Sequence, residues 1–372
     1  MLKIGITGQN GFVGTHLFNT IGLQPEVYER IPFERFFFES EVALDTFVSQ
    51  CDVIVHLAAL NRHNEAEVIY ETNLNLVQLL VASLERTKSK AHVLISSSSQ
   101  EERDNLYGKS KKEGRELLAN WVEKNGALFT GMIIPNVFGP FGLPYYNSVV
   151  ATFSHQVANG ETPKIEVDGQ LKLIYVGELV AEIINAINHK INDPKYTVNH
   201  TSEAKVSGLL SMLQHYKAEY QDKGQIPAIQ NAFELNLFNT FRSYMDIKNY
   251  FPVKFTQHTD PRGTFVEVIR LGVGGQVSFS TTVPGITRGN HYHTRKIERF
   301  AVIKGKALIQ LRRIGTDEVL DFYLDGENPS YVDMPIWYTH NIKNIGDEIL
   351  YTNFWINEFY DPNDPDTYFE NV

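Results

Sequence analysis

A short apolar run that breaks into closely spaced glycines and then resumes with helical spacing is the strongest constraint on this chain. Leu2-Lys-Ile-Gly-Ile-Thr7 reads as a strand, Gly8-Gln-Asn-Gly11-Phe12-Val13-Gly14 as a tight turn, and Thr15 to Ile21 as a helix. Glycines in such a turn let the backbone approach a pyrophosphate, and the following helix N-terminus brings partial positive charge toward it. The spacing is Gly-x-x-Gly-x-x-Gly rather than Gly-x-Gly-x-x-Gly.

The stretches that follow keep the β/α alternation. Glu26-Val-Tyr-Glu29-Arg30 reads as a second strand, and Arg30, with Arg35 nearby, suits a ribose 2′-phosphate, which favours NADP over NAD despite Glu29. Asp52 to His56 is a buried parallel strand running into Leu57, Ala58 and Ala59, where an adenosine could lie close to the backbone. Ala91 to Ser99 is the next strand, tipped with hydroxyls. Tyr107-Gly-Lys-Ser-Lys111 then opens a helix expected to run to about Lys124. Tyr and Lys four apart share a helix face, so Lys111 is expected to lower the phenol pKa of Tyr107 and make it a proton donor to a carbonyl. The cofactor contacts expected are Gly8, Gly11, Phe12, Val13, Gly14, Arg30, Leu57, Ala58, Ala59, Tyr107 and Lys111.

The C-terminal third changes character. It is β-branched and aromatic, with Gly and Pro between runs, as in a small antiparallel barrel. His291 and His293 are two apart, so on a strand both rings point into one cavity. Glu298 and His340 complete a nitrogen and oxygen set that suits zinc, iron, manganese, nickel or copper.

With 372 residues, 42% hydrophobic and 21% charged, the chain should form two soluble domains, 1–250 and 251–372, joined near Pro252. No apolar run reaches about 18 residues, so no membrane span is expected. A strand begins at once, so no leader is expected. A single cysteine, Cys51, fits a reducing cytoplasm, and a net charge of −10 speaks against nucleic acid as a partner.

Residues 1 to about 250 resemble the extended short-chain dehydrogenase/reductases. The resemblance assigns the family's serine, tyrosine and lysine to Ser98, Tyr107 and Lys111, with Ser97 and Ser99 adjacent, and Ile134-Pro135-Asn136-Val-Phe-Gly-Pro140 to its substrate side, where Asn136 would touch a sugar nucleotide. Tyr145 and Tyr146 follow in a loop that would line the same cleft. Gly285, His291, His293, Glu298 and Gly305 resemble the first cupin motif, and Pro335, His340 and Asn344 the second, with Trp337 where the family usually has glycine. Asp260-x-Arg262-Gly-x-Phe265-x-Glu267, Gln276 and Arg288-Gly-x-His291 resemble the cupin branch of sugar-nucleotide 3,5-epimerases, in which arginines hold the substrate and a histidine is the base.

The expected fold is therefore an α/β Rossmann doubly wound parallel sheet followed by an all-β cupin jelly-roll barrel. His291 stands at both the ligand and the base position. Metal binding by His291, His293, Glu298 and His340 is favoured, because the set is complete, and Tyr338 and Lys296 are left as candidate bases. Arg262 and Arg288, and with them Arg299, would contact substrate or phosphate.

The whole chain resembles the bacterial capsular polysaccharide and O-antigen enzymes that fuse such a reductase to a cupin. The resemblance implies a homodimer, NADPH and a divalent metal, zinc first. It implies that the cupin inverts carbon 3 of a UDP-2-acetamido-2,6-dideoxy-4-hexulose. The reductase would then reduce the 4-keto group to UDP-2-acetamido-2,6-dideoxy-L-talose, a precursor of N-acetyl-L-fucosamine. The alternative is a reductase whose cupin serves only as a metal-stabilised dimerisation module.

Overall fold

The computed structural model describes residues 1–261 and 263–372. In chain order the first elements are β1 (Leu2–Thr7), α1 (Phe12–Ile21), β2 (Tyr28–Ile31), α2 (Glu41–Gln50), β3 (Val53–His56), α3 (Ala66–Arg86), β4 (His92–Ser98) and α4 (Leu106–Asn125). They continue with β5 (Phe129–Ile134), β6 (Asn136–Phe138), α5 (Val149–Ala158), β7 (Gln170–Tyr175), α6 (Val176–Asn188), β8 (Asp193–Thr197) and β9 (Ser202–Lys205).

Six of these strands form one parallel sheet in the order β2-β1-β3-β4-β5-β8. Apolar residues run through its strands because both faces are covered. Alternation along β3 sends Val53 and Val55 to one layer, with Leu17 and Ile21 of α1 and Leu179 and Ile183 of α6. Ile54 goes to the other, with Leu44 of α2, Leu80 of α3 and Leu118 of α4. Each such aliphatic side chain contributes about 1.5–3 kcal/mol by leaving water. The order in which the strands are connected reverses between β1 and β3, and the carboxyl ends of strands at such a switch point form a ligand crevice.

The remaining elements are α7 (Val206–Tyr216), α8 (Ala232–Arg242), α9 (Ile247–Tyr250), β10 (Val253–Lys254), β11 (Gln257–Asp260), β12 (Gly263–Val266), β13 (Gln276–Thr282), β14 (Thr287–Tyr292) and β15 (Glu298–Lys304). After them come β16 (Lys306–Arg313), β17 (Val319–Asp325), β18 (Ser330–Met334), β19 (Tyr338–Asn344), β20 (Leu350–Ile356) and β21 (Tyr368–Phe369). Two five-stranded antiparallel sheets, β10-β18-β15-β20-β13 and β17-β16-β19-β14-β21, enclose a core that includes Phe300, Val302, Ile309, Leu311, Val332 and Ile342. This is the expected jelly-roll barrel.

The chain divides into two compact units: Met1–Thr152 with Val167–Val206, and Phe153–Glu166 with Ser207–Val372. The change of composition near residue 250 and the packing division at Ser207 therefore differ. Side chains after Ser207 are committed to the barrel: Tyr220 donates to Asp333 at 2.7 Å and Arg242 to the Met334 carbonyl at 3.1 Å. Arg299 belongs to the same network. It sits on the outer face of β15, forms two bonds of 2.7 and 2.9 Å with the fully buried Asp333, and lies 3.7 Å over the Tyr331 ring. The expectation that Arg299 contacts substrate is corrected, because a guanidinium paired this way in the interior is not free to reach a ligand. Among the described residues no helix is long and apolar enough to cross a membrane.

Candidate functional site

In the first unit the turn after β1 is built for close approach. Gly8 has φ +77°, and a Cβ there would come within 2.9 Å of the Ala58 nitrogen; a Cβ on Gly14 would come within 2.1 Å of the Gly8 carbonyl oxygen. Neither position admits a side chain. Gly11 caps α1 without any side-chain hydrogen bond, so the first turn, Phe12 and Val13 included, keeps N–H groups for an anion. Leu57 closes the other wall by donating to the Thr7 carbonyl at 3.1 Å, with Ala58 beside it 3.4 Å from the Thr7 hydroxyl and Ala59 next in the chain. This cradle fits a dinucleotide pyrophosphate.

Arg30 is not part of it. It pairs with Ile4 in mid-strand, its guanidinium lies 4.4 Å over the Phe18 ring, and it donates to the Phe18 carbonyl at 3.3 Å, in the far half of α1 from the glycine turn. The carboxyl end of β1 is level with residues after β2, where the buried Phe33 donates its N–H to Gln9 and the exposed Arg35 follows.

The candidate catalytic residues do come together. Asn105 caps α4 by accepting from the Gly108 N–H at 2.7 Å, which places Tyr107 in the first turn, and Lys111 lies one turn on. Burial pushes the Tyr107 phenol up to about 12, against a hydrogen bond with Ser98 that lowers it. Burial pushes Lys111 down to about 8, against the attraction of Glu101, and its ammonium donates to the Ser96 carbonyl at 2.9 Å. The expectation that Lys111 lowers the phenol pKa is thus corrected: burial sets the direction of the shift, and the phenol keeps its proton at neutral pH. Of the neighbouring serines, Ser97 is buried and donates to Glu101, Ser99 is exposed, and Ser98 faces Tyr107.

Glu101 is held in turn by Arg115 through bonds of 2.8 and 2.9 Å. Asn136 stands exposed at the start of β6, its amide donating to the Lys172 carbonyl at 3.2 Å. The loop beyond it is pinned by Arg62, which donates to the Tyr145 and Tyr146 carbonyls at 2.5 and 2.8 Å, and by the Tyr146 hydroxyl, which accepts from the Asn61 N–H at 3.1 Å. The Glu101–Arg115 pair and Arg62 carry no local sequence signal.

In the second unit the cluster of His291, His293, Glu298 and His340 is assembled, with one ligand-type atom of each within 4.8 Å of the others. Gly289 has φ +101° and Asn290 φ +60°, and the register of β14 against β19 shifts between Gly289 and His291. That bulge sets His291 directly opposite His340, with ring centroids 4.5 Å apart. Glu298 Oε2 lies 3.1 Å from His293 Nε2 and 3.2 Å from His340 Nε2. Burial alone would raise the Glu298 carboxyl, but the two histidines hold it well below the carboxylate range. His340 Nε2 is buried without a well-directed hydrogen bond. A buried ring nitrogen left over beside a carboxylate and two further imidazoles is what a divalent metal site presents, so the residues fit one.

The other barrel candidates separate. Arg288 lies opposite Ile342, on the face that carries His340, and is exposed. Arg262 lies outside the described residues. Lys296 is not a free base: it is buried, donates to the Pro365 carbonyl at 2.5 Å and lies 3.6 Å from Glu358. Tyr338 is half-buried opposite Arg313, and burial raises its phenol. Trp337 takes φ +62°, the left-handed conformation for which its motif usually has glycine, donates its N–H to the His293 carbonyl at 2.8 Å and stacks on Tyr292.

Residues 4–199 match the NAD dependent epimerase/dehydratase family, and residues 258–368 the polysaccharide biosynthesis C-terminal domain. A UDP-2-acetamido-2,6-beta-L-arabino-hexul-4-ose reductase from Pseudomonas aeruginosa is 33% identical over 371 residues, 99% of this chain and 98% of that protein. The crystal structure of the capsular polysaccharide assembling protein CapF from Staphylococcus aureus superposes with a TM-score of 0.61 at 34% identity, covering 99% of this chain and 100% of that one. The spore coat polysaccharide biosynthesis protein SpsL of Bacillus subtilis is 28% identical over 123 residues, 30% of this chain and 82% of that protein. The chain belongs to the NAD dependent epimerase/dehydratase family and continues into a polysaccharide biosynthesis C-terminal domain.

Proposed function

We propose that this chain is a bifunctional sugar-nucleotide enzyme. Its barrel epimerises carbon 3 of a UDP-2-acetamido-2,6-dideoxy-4-hexulose, and its first unit then reduces the 4-keto group with NADPH to UDP-2-acetamido-2,6-dideoxy-L-talose, a precursor of N-acetyl-L-fucosamine for capsule or O-antigen. The observation that carries the reading is the presence, in one chain, of a Tyr107 phenol that keeps its proton and a complete His291, His293, Glu298 and His340 set. The near full-length likeness to a relative named as a 4-keto-sugar nucleotide reductase supports the reduction step.

Reduction needs a hydride at carbon 4 and a proton at the carbonyl oxygen. A dinucleotide held on the Gly8–Gly14 turn would supply the hydride. The proton comes from the Tyr107 hydroxyl, aligned by Ser98, and Lys111 beside it offsets the phenolate charge left behind. Epimerisation exploits the acidity of a C–H next to a ketone: a base removes the carbon 3 proton, and the other face takes one back. A divalent ion, zinc first, would supply Lewis-acid charge stabilisation there. Asn136 is proposed to hold the UDP-sugar in the first unit, and Arg288 and Arg262 to hold it in the barrel.

We further infer a homodimer in a reducing cytoplasm. Cys51 is buried and free, and β13, an edge strand, exposes Val277 and Phe279 to a second copy. Light scattering that finds a monomer at working concentration would remove the dimer.

The test of the main reading is proton NMR in D₂O with the UDP-4-keto-6-deoxy-N-acetylhexosamine and no nicotinamide, followed by NADPH. Deuterium at carbon 3 before NADPH and a reduced sugar after it are expected. Reduction without prior exchange would leave a single-activity reductase.

A further inference from the structure

The C-terminal residues fold back onto the strand that carries the histidine pair. β21 pairs with β14, setting Phe369 opposite His291 and Tyr368 opposite Tyr292. Immediately before it, Asp366 is 1% exposed and adopts φ +40°, a left-handed conformation that costs a non-glycine residue roughly 1–2 kcal/mol. Its two ends explain why the position is held. The backbone carbonyl accepts from His293 Nδ1 at 2.5 Å. The carboxylate accepts the backbone N–H groups of Thr294, Arg295 and Lys296 at 3.0 Å each, and the Thr294 hydroxyl at 2.7 Å. Arg295 and Lys296 add side-chain bonds to Asp364 and to the Pro365 carbonyl.

With Nδ1–H committed to that carbonyl, Nε2, the nitrogen that faces Glu298 at 3.1 Å, is the one left to give its lone pair to a bound metal. We propose that Asp366 is the positioning residue of the metal centre: its carboxylate locks the 294–296 backbone, its left-handed turn aims the carbonyl, and together they fix the tautomer and ring plane of His293. The proposal rests on the metal-centre reading given above.

The test uses the full-length chain, with cobalt(II) as a visible-absorption probe and zinc(II) affinity measured by chelator competition. Asp366→Asn tolerates the left-handed turn but replaces one carboxylate oxygen by an amide that cannot accept. It is expected to weaken zinc binding by about 10- to 100-fold and to shift the cobalt bands. Thr294→Val removes only the hydroxyl contact, keeps the fold, and is expected to weaken binding less, in the same direction. A purely structural strap would lower thermal stability while leaving affinity and spectrum unchanged; that result in both variants overturns the proposal. A parent chain that takes up neither ion would overturn the metal centre itself.

Discussion

Ser97 and Ser98 are adjacent on β4, and their hydroxyls serve opposite sides of it. Ser97 is buried and donates to Glu101, while Ser98 accepts the Gln100 N–H at 3.2 Å and faces the Tyr107 phenol. Strand alternation alone separates them. Ser98→Ala is therefore expected to cut kcat for ketone reduction by about 10²- to 10⁴-fold with little change in melting temperature. Ser97→Ala leaves Glu101 its Arg115 partner and should cost about 1 kcal/mol of stability with kcat near the parent's. Steady-state NADPH oxidation and thermal melts on both variants check this, and the reverse pattern would move the catalytic hydroxyl to Ser97.

The burial of Lys111 makes a second prediction with a sign. Its pKa falls from 10.5 to about 8, so the folded chain binds fewer protons than the unfolded chain between those values, and this group's contribution to stability rises with pH across that window. One pKa unit is about 1.4 kcal/mol, so the charged lysine costs the fold roughly 3.5 kcal/mol at most at neutral pH. Lys111→Met should raise the melting temperature at pH 7 while abolishing reduction. In the proposed mechanism the ammonium offsets the phenolate, so the parent's reduction rate should decline as pH rises through about 8. Unchanged stability in Lys111→Met would mean the ammonium is better solvated than its burial implies.

The alternation of strand and helix was legible because the periods are strong and local: Val53 to His56 reads as a buried strand and is one. The metal-type cluster was legible because two ligands lie two apart and the others fall at motif spacing. What escaped depends on partners far apart in sequence. Asp366 meets the loop that begins at Thr294 72 residues away, Tyr220 meets Asp333 across 113, and Arg115 meets Glu101 on a neighbouring element. No local pattern announces such contacts. Arg30 failed for a related reason: its place along the sheet is set by the register of β2 on β1, which no single-strand reading supplies.

That register moves the question of cofactor choice to Arg35. Arg30 is opposite Ile4 and rests on Phe18, whereas the exposed Arg35 follows β2 at the carboxyl end of the sheet. A guanidinium at a ribose 2′-phosphate contributes about 1.5–3 kcal/mol through charge-assisted bonds. Arg35→Ala should thus raise KM for NADPH about 10- to 100-fold and leave KM for NADH unchanged. Arg30→Ala should change neither KM and should lower stability slightly, through the lost packing on Phe18. Equal KM for both dinucleotides in the parent would show that no cation reads the 2′ position.

Trp337 tests how a motif glycine can be replaced. Its φ of +62° costs an L-residue roughly 1–2 kcal/mol. The indole recovers this by burial, 7% exposed, and by stacking on Tyr292 with centroids 5.7 Å apart. Trp337→Gly relieves the strain but empties the site, and removing a buried tryptophan costs about 3–5 kcal/mol. The loss outweighs the relief, so the variant should be less stable by roughly 2 kcal/mol, the difference of those two figures. The backbone N–H that reaches the His293 carbonyl survives the change, and the glycine conformation suits the turn. Zinc affinity should therefore stay within a few-fold of the parent's while the melting temperature falls. A variant more stable than the parent would mean that strain, not packing, dominates at this turn. A large loss of zinc affinity would make the indole itself a support of His293.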